Sequence, residues 1–345
     1  MKPAAALAVA MAAVAAGCSG DLPKSDVVDK LRVLAVRASP PEIRPGQTSV
    51  LDALVVQPPL APDAAAPRPS YLWLACTEAA GLALPGACGV TADGNGRPGI
   101  FEAPDGGPPS AIPSCQDQPS APLCLIGQTE KVSLSPSPSL SGSQVTQVIV
   151  TLIVSDQDAL ACAAFAAEGS GAPPDPDHCI IAIKRLTVSN STSPNHNPRL
   201  AKLSLDHEFK NGSAQLPPLE AGATLSLDAE RCTATLCASG IPACCEPGAD
   251  AEIETDRGNV VEPLTVAWFT TAGTLAVARS TFQPADCDSA CQKDPARLTA
   301  HVSSDWTAPD PSAYATTSEI DFWAVVRDGR EGVGWIQGTL TTAAR

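Results

Sequence analysis

The chain has 345 residues and a formal net charge of −15, from 22 Lys and Arg against 37 Asp and Glu. So acidic a body disfavours nucleic-acid binding through phosphate neutralisation, and at about 100–200 residues per domain the length suits two domains. Pro and Gly number 34 and 25, about 17% where average usage gives about 12%, which favours many short turns over long helices. In chain order, residues 1–17 read first, as an export signal: Lys2 gives the charged start, Ala4 to Ala16 the apolar stretch, and small residues precede Cys18. That stretch is too short for a membrane helix of about 20 apolar residues, and no later one qualifies. Val148 to Val154 has only strand length, and Ala159 to Ala167 is interrupted by Cys162.

Val14-Ala15-Ala16-Gly17-Cys18 resembles the lipobox of bacterial lipoproteins, although Ala15 stands where a larger aliphatic residue is commonest. The resemblance implies lipidation at Cys18, palmitate-type acyl chains holding a body on a membrane without any transmembrane helix. It also implies the outer membrane, because Ser19 occupies the place where an inner-membrane retention signal would put Asp. Residues 18–28 would then be a tether, keeping the first domain close to the membrane surface.

Cysteines number 13, an odd count. With Cys18 set aside, six fall in each half: Cys76, Cys88, Cys115, Cys124, Cys162 and Cys179, then Cys232, Cys237, Cys244, Cys245, Cys287 and Cys291. An even set in an exported chain reads as disulfides, up to three per half, with the connectivity open. Cys162 and Cys179 bracket a Pro-rich tongue and suit a clasp. Adjacent Cys244 and Cys245 do not suit each other, since neighbouring α-carbons lie about 3.8 Å apart and disulfides prefer about 4.4–6.8 Å. Cys232, Cys237, Cys244 and Cys245 lack the paired Cys-x-x-Cys knuckles and nearby histidine of a zinc site, so disulfides are the better reading.

The chain repeats itself. Leu31 to Ala38, Pro40-Pro41, Pro45-Gly46 and Thr48 to Val56 are followed in the second half by Leu200 to Leu205, Pro217-Pro218, Ala221-Gly222 and Thr224 to Ala229. Trp73 corresponds to Trp268, and Phe101-Glu-Ala-Pro104 to Trp306-Thr-Ala-Pro309. Val150 to Asp156 corresponds to Phe322 to Asp328, and each precedes a last apolar strand, Ile180 to Val188 and Val333 to Thr341. Runs this short, rich in Val, Ile, Thr and aromatics and punctuated by Gly, Pro and Asp, are strands of a sandwich. Asp328-Gly329 between two of them suits a tight hairpin in which Gly takes a positive φ.

One tryptophan in a middle strand of each half is what an immunoglobulin-like core uses to fill the space between its sheets. The arrangement resembles the tandem immunoglobulin-like or PKD-like modules of bacterial surface lipoproteins, notably in Asp328-Gly-Arg-Glu-Gly-Val-Gly-Trp335. The expected fold is therefore all-β: two tandem immunoglobulin-like β-sandwiches with disulfide-bonded loop insertions. Residues 29–190 would form the first sandwich, 191–197 a Ser/Asn/Pro linker, and 198–345 the second.

Motifs that carry chemistry are weak. Gly94-Asn-Gly-Arg-Pro-Gly99 has dinucleotide-fingerprint spacing, but Pro98 and the following Ile100-Phe101 make it a turn and not a strand running into a helix. Asp93 and Asn95 could begin a calcium loop, yet Pro104 stands where the closing glutamate of an EF-hand belongs. His207-Glu208 opens like a zinc-protease helix, but Asn211 replaces the second histidine. No Gly-x-Ser-x-Gly elbow occurs, and His178, His196 and His301 read as surface or hairpin residues. Tyr71, Trp73, Trp268, Trp306, Trp323 and Trp335 could stack sugars, although sandwich cores can absorb most of them.

These readings lead to an expectation of a non-enzymatic, lipid-anchored envelope protein, a structural spacer or protein-docking module with no cofactor, no metal and no catalytic set. Its partners would be the membrane, through the anchor, and an envelope protein, with the body facing the periplasm or the cell surface. An adhesin or carbohydrate-binding lipoprotein is the alternative, and an unrecognised extracytoplasmic hydrolase comes third.

Overall fold

The structure, a computed structural model, describes residues 25–58, 68–77, 114–117, 123–136, 146–168, 177–209, 212–216, 219–254, 260–283, 288, 291–294, 297–310 and 319–342. Cys18, Cys88, Asp93, Asn95, Phe101 and Cys287 lie outside the described residues.

In the first half, β1 (Arg32–Ser39), β3 (Ser49–Val56) and β6 (Lys131–Leu134) make one sheet in the order β1-β3-β6. The other has the order β2-β8-β7-β4-β5, from β2 (Glu42–Ile43), β4 (Ser70–Thr77), β5 (Leu123–Gly127), β7 (Thr146–Ser155) and β8 (Cys179–Val188). Alternation sets the inner face of β3, where Leu51 and Ala53 are buried and Asp52 between them is turned outward. In contrast, β7 is buried at every position from Val148 to Ser155, the mark of a strand covered on both faces.

The second half repeats this connectivity. Its first sheet is β10-β9-β12-β18-β16, from β9 (Leu200–Leu205), β10 (His207–Glu208), β12 (Thr224–Arg231), β16 (Thr274–Leu275) and β18 (His301–Thr307). The second is β11-β20-β19-β15-β17, from β11 (Ser213–Leu216), β15 (Thr265–Thr270), β17 (Arg279–Thr281), β19 (Glu319–Arg327) and β20 (Val333–Thr342). A short ribbon of β13 (Ile253–Glu254) and β14 (Val260–Val261) stands apart.

The correspondence reaches the pairing itself. A short early strand leaves the first sheet and joins the last strand in parallel in both halves, β2 on β8 and β11 on β20, while the other pairings within these sheets are antiparallel. Gly46 (φ 79°) and Gly222 (φ 77°) take the left-handed backbone in the equivalent turns before β3 and β12. Two sheets with this strand order form an immunoglobulin-like sandwich.

Each core closes on tryptophan. Trp73 of β4 is fully buried among Leu31, Val36, Leu51, Val150 and Leu186, and its Nε1 donates to the Thr129 carbonyl at 2.8 Å. Trp268 of β15 is fully buried in the second core and donates to Ser280 Oγ at 3.0 Å. Trp306 adds a second large ring there, meeting Phe322 edge-on with centroids 5.2 Å apart.

One local feature adds to the sequence reading and another differs from it. The Ala-rich run is helix α1 (Ala159–Glu168), started by Ser70 Oγ and Asp158 Oδ1 accepting from the amides of Ala159 and Leu160. The Asp328-Gly329 hairpin is not a two-residue turn with a left-handed glycine: β19 and β20 pair through Arg327 and Val333, so five residues connect them. The positive φ (75°) belongs to Glu331. Asp328 Oδ1 stabilises the longer loop by accepting from the amides of Arg330 and Gly332, each at 2.7 Å.

Candidate functional site

The joint between the sandwiches holds the densest polar chemistry. Its centre is the β19–β20 loop, which projects Asp328, Arg330 and Glu331 towards the first sandwich. Glu42 of β2 is buried, and its Oε2 accepts from Arg330 Nη2 at 3.0 Å and from the Asn195 amide at 2.8 Å. Its Oε1 accepts from Ser189 Oγ. Arg330 Nη1 stands 3.2 Å from Oε1 of buried Glu262. Burial works against the Arg330 charge, but Glu262 and Glu42 outweigh it and hold the guanidinium pKa above its ordinary value.

Asn195 ties the same loop from the connecting segment: its Nδ2 donates to the Arg330 carbonyl at 2.8 Å and to Asp328 Oδ2 at 3.3 Å. Asn197 bridges the two sandwiches, donating to the Ala38 carbonyl at 2.7 Å and accepting from the Val333 amide at 2.9 Å. The stretch whose Ser, Asn and Pro read as a linker is thus bonded into both bodies. Burial pushes the Asp328 carboxyl up from its ordinary value, against the opposing hydrogen bonds and Lys184. Lys184 of β8 donates to the Glu331 carbonyl and lies 3.3 Å from its carboxylate; burial lowers the ammonium pKa more than Glu331 restores it.

Apolar contacts complete the joint. Val28, Leu34, Ala35 and Val56 pack with Trp323, Val325 and Val333 in one buried cluster, with Phe269 and Trp335 at its margin. The segment expected to be free tether joins in: Val27 bridges to Thr270, the Val28 amide donates to the Thr270 carbonyl at 2.8 Å, and the Thr270 amide to the Asp26 carbonyl at 3.0 Å. Arg327 Nη2 donates to the Leu34 carbonyl at 2.6 Å, where a bulge interrupts β1. Arg37, paired with Asp52 at 2.6 Å, lies 4.0 Å above the Trp335 ring.

A cleft opens on each side of Arg327. One, of about 320 Å³, runs between β1, β8 and the β19–β20 loop, with Lys184 in its wall. The other, of about 410 Å³, lies on the outer face of β15 and is lined by Ser25, Asp26, Thr265, Phe269, Arg279 and Arg327, among others.

The residues singled out from sequence are mostly placed elsewhere. Disulfides join Cys115 to Cys124, Cys162 to Cys179, Cys232 to Cys244 and Cys237 to Cys245, and Cys76 is disulfide-bonded as well. The second two bonds cross within the segment around helix α2 (Ala234–Ala238), so its four cysteines are not thiolate ligands. Cys291 begins a short 3-10 turn. His178 Nδ1 lies 2.8 Å from Asp156, His196 Nδ1 2.7 Å from Glu252, and His301 Nδ1 2.9 Å from Asp228; His207 is in β10. Among the described residues, no three His, Cys, Asp or Glu side chains are grouped to hold a metal ion. No described helix is long and apolar enough to cross a membrane.

Four of the five tryptophans, Trp73, Trp268, Trp306 and Trp323, are buried, and Trp335 is half-buried. Tyr71 packs against the first core, and burial, with Glu130 adding to it, raises its hydroxyl pKa. Glu42, Asn195, Glu262 and Arg330 were not legible as a set. The one signal was the Asp328–Trp335 run, noted for its resemblance and not for what it bonds.

No protein-family model matches the chain, and no curated protein matches it. Among solved structures, it is similar to Escherichia coli alpha-2-macroglobulin at 9% identity and TM-score 0.21, over 91% of this chain and 17% of that one. This chain thus spans about a sixth of that protein's length. The D00-D0 domain of intimin is similar at 10% identity and TM-score 0.22, over 91% of this chain and 98% of that chain. The two tandem V-type regions of VCBP3, a v-region-containing chitin binding protein, are similar at 9% identity and TM-score 0.25, over 90% and 100%. The strand order of this chain carries the fold assignment by itself.

Proposed function

We propose that the protein is a non-enzymatic, lipid-anchored protein of the outer membrane whose two sandwiches act together as one stiff spacer or docking body. The observation that carries this reading is the joint: buried Glu42, Asn195 and Glu262 close on Arg330 from both sandwiches and the segment between them. Charged groups held this way resist hinge motion, because opening the joint would strip partners from buried charges. The Cys18 lipobox supports the anchor. With Ser25 held by Arg32 and Asp26 to Val28 fixed on Thr270, residues 19–24 are the remaining tether, at most about 22 Å when extended. Such a tether holds both sandwiches, and not only the first, near the bilayer.

Fractionation of cells expressing Cys18→Ser tests the anchor, with release from the membrane fraction expected; full retention would sink it. Small-angle scattering of the soluble body tests stiffness, with one compact envelope expected and a spread of inter-domain distances counting against it. The sugar-binding alternative loses its aromatic platform, since the tryptophan rings fill cores and the joint.

A further inference from the structure

We propose that the cleft on the outer face of β15 is a binding site for a phosphate-bearing ligand, held between Arg279 and Arg327. The sheet register builds it. Arg279 of β17 pairs with Ala267, and Arg327 of β19 pairs with Thr265. Antiparallel partners share a face, and Thr265 and Ala267 are two residues apart, so both arginines rise on the same side over a floor of small residues. Phe269 closes one end of the floor, and Ser25 and Asp26 line the cleft from the segment bonded to Thr270. The volume of about 410 Å³ exceeds what a bare phosphate needs and suits a phosphorylated headgroup or sugar.

The charges separate this site from the rest of the joint. The chain carries 37 acids against 22 bases, and the other arginines of the joint are ion-paired: Arg37 with Asp52, Arg330 with Glu42 and Glu262. Among the described residues, no carboxylate stands within ion-pair distance of Arg279 or Arg327. Arg327 spends one donor on the Leu34 carbonyl, which fixes its guanidinium and leaves further N–H groups in the fork for an oxyanion. Burial, and then the neighbouring Arg279 charge, lower the Arg327 pKa against the opposing Glu331 carboxylate, so the two cations are close enough to repel. An anion between them relieves that repulsion. Of the two acids in the lining, Asp328 is committed to the amides of Arg330 and Gly332 and to Asn195. Asp26 in the lining, and Glu331 at longer range, remain to oppose an anion.

The phosphate could be soluble or could belong to a lipid headgroup, and only the lipid source depends on the anchor reading. The test uses the Cys18→Ser chain, so that any membrane affinity comes from the cleft. Titration with inorganic phosphate is expected to show saturable binding that weakens about tenfold or more in Arg279→Ala. Arg279 is exposed, so this variant should fold as wild type. Asp26→Asn is expected to bind several-fold more tightly. Flotation with phosphatidylglycerol vesicles but not phosphatidylcholine vesicles, lost in Arg279→Ala, assigns the lipid headgroup; phosphate binding without flotation assigns a soluble phosphorylated ligand. The proposal is overturned if wild type shows no saturable phosphate binding, or if Arg279→Ala binds as well as wild type.

Discussion

The two sandwiches have the same strand order but cover the same sheet in different ways. In the first, the outward face of β4 and β7 carries Leu72, Leu74, Ile149 and Ile153, which pack under Ala159, Cys162 and Ala163 of α1. In the second, the equivalent face of β15, β19 and β20 carries Phe269, Trp323, Val325, Val333 and Trp335, and its cover is Leu34 and Val56 of the first sandwich with Val28 of the segment leading into it. One apolar face is closed locally, by a helix stapled through Cys162 and Cys179; its counterpart is closed by the neighbouring domain. A duplicated fold therefore yields a joined pair and not two beads on a string, because an uncovered apolar sheet face must find a partner.

The largest expected effect comes from breaking the inter-domain cover at its polar edge. Arg330→Met leaves Glu42 and Glu262 buried without their cation and should cost about 3–5 kcal/mol. Urea unfolding should then split into two transitions, one per sandwich; a single unshifted transition would show that the joint contributes nothing to stability. Breaking the local cover is the matching experiment. Cys162→Ser with Cys179→Ser should cost about 2–4 kcal/mol and raise amide exchange in α1 while leaving β19 and β20 protected.

Asn195→Ala should follow at about 1–3 kcal/mol, since Asp328 and the Arg330 carbonyl lose a buried donor. Unchanged thermal stability would mean that the connecting segment only spans the joint. The smallest effect is a pH slope. Because burial raises the Asp328 pKa above 3.8, the folded state holds that proton longer than the unfolded chain. This group's contribution is complete below the ordinary carboxylate pKa and is lost as pH rises through the raised folded value. Thermal stability measured from about pH 4 to about pH 7 should decline less in Asp328→Asn than in wild type; identical slopes would remove the burial argument.

Strands were legible where the pattern was local. The alternation in Ser49–Val56, the paired tryptophans Trp73 and Trp268, and the two apolar strands closing each half stand out because strand formation and core facing follow a period of two residues. Helix α1 was not legible: Ala-Leu-Ala-Cys-Ala-Ala-Phe-Ala-Ala has no polar stripe, so nothing in it shows a helical face. The Asp328 loop misled for a similar reason. Asp-Gly is a strong hairpin signal, yet the aspartate side chain, by accepting two amides, stabilises a five-residue loop with Glu331 in the left-handed region. The joint left almost no trace, because Glu42 and Arg330 are 288 residues apart and neither is unusual among its neighbours in the chain.

By itself, the sequence determined the all-β class, the internal repeat and the two tryptophan-centred cores, because hydrophobic alternation and turn residues act over a few residues and each half carries them in full. Tertiary structure alone decided which outward face received a helix and which received the other sandwich. It also decided that the Ser/Asn/Pro segment became a strap bonded to both sandwiches, and that Arg279 and Arg327 came to share a cleft. Those outcomes depend on side chains far apart in the chain coming together, where the partner and not the local pattern sets the energy of a charge or an apolar face.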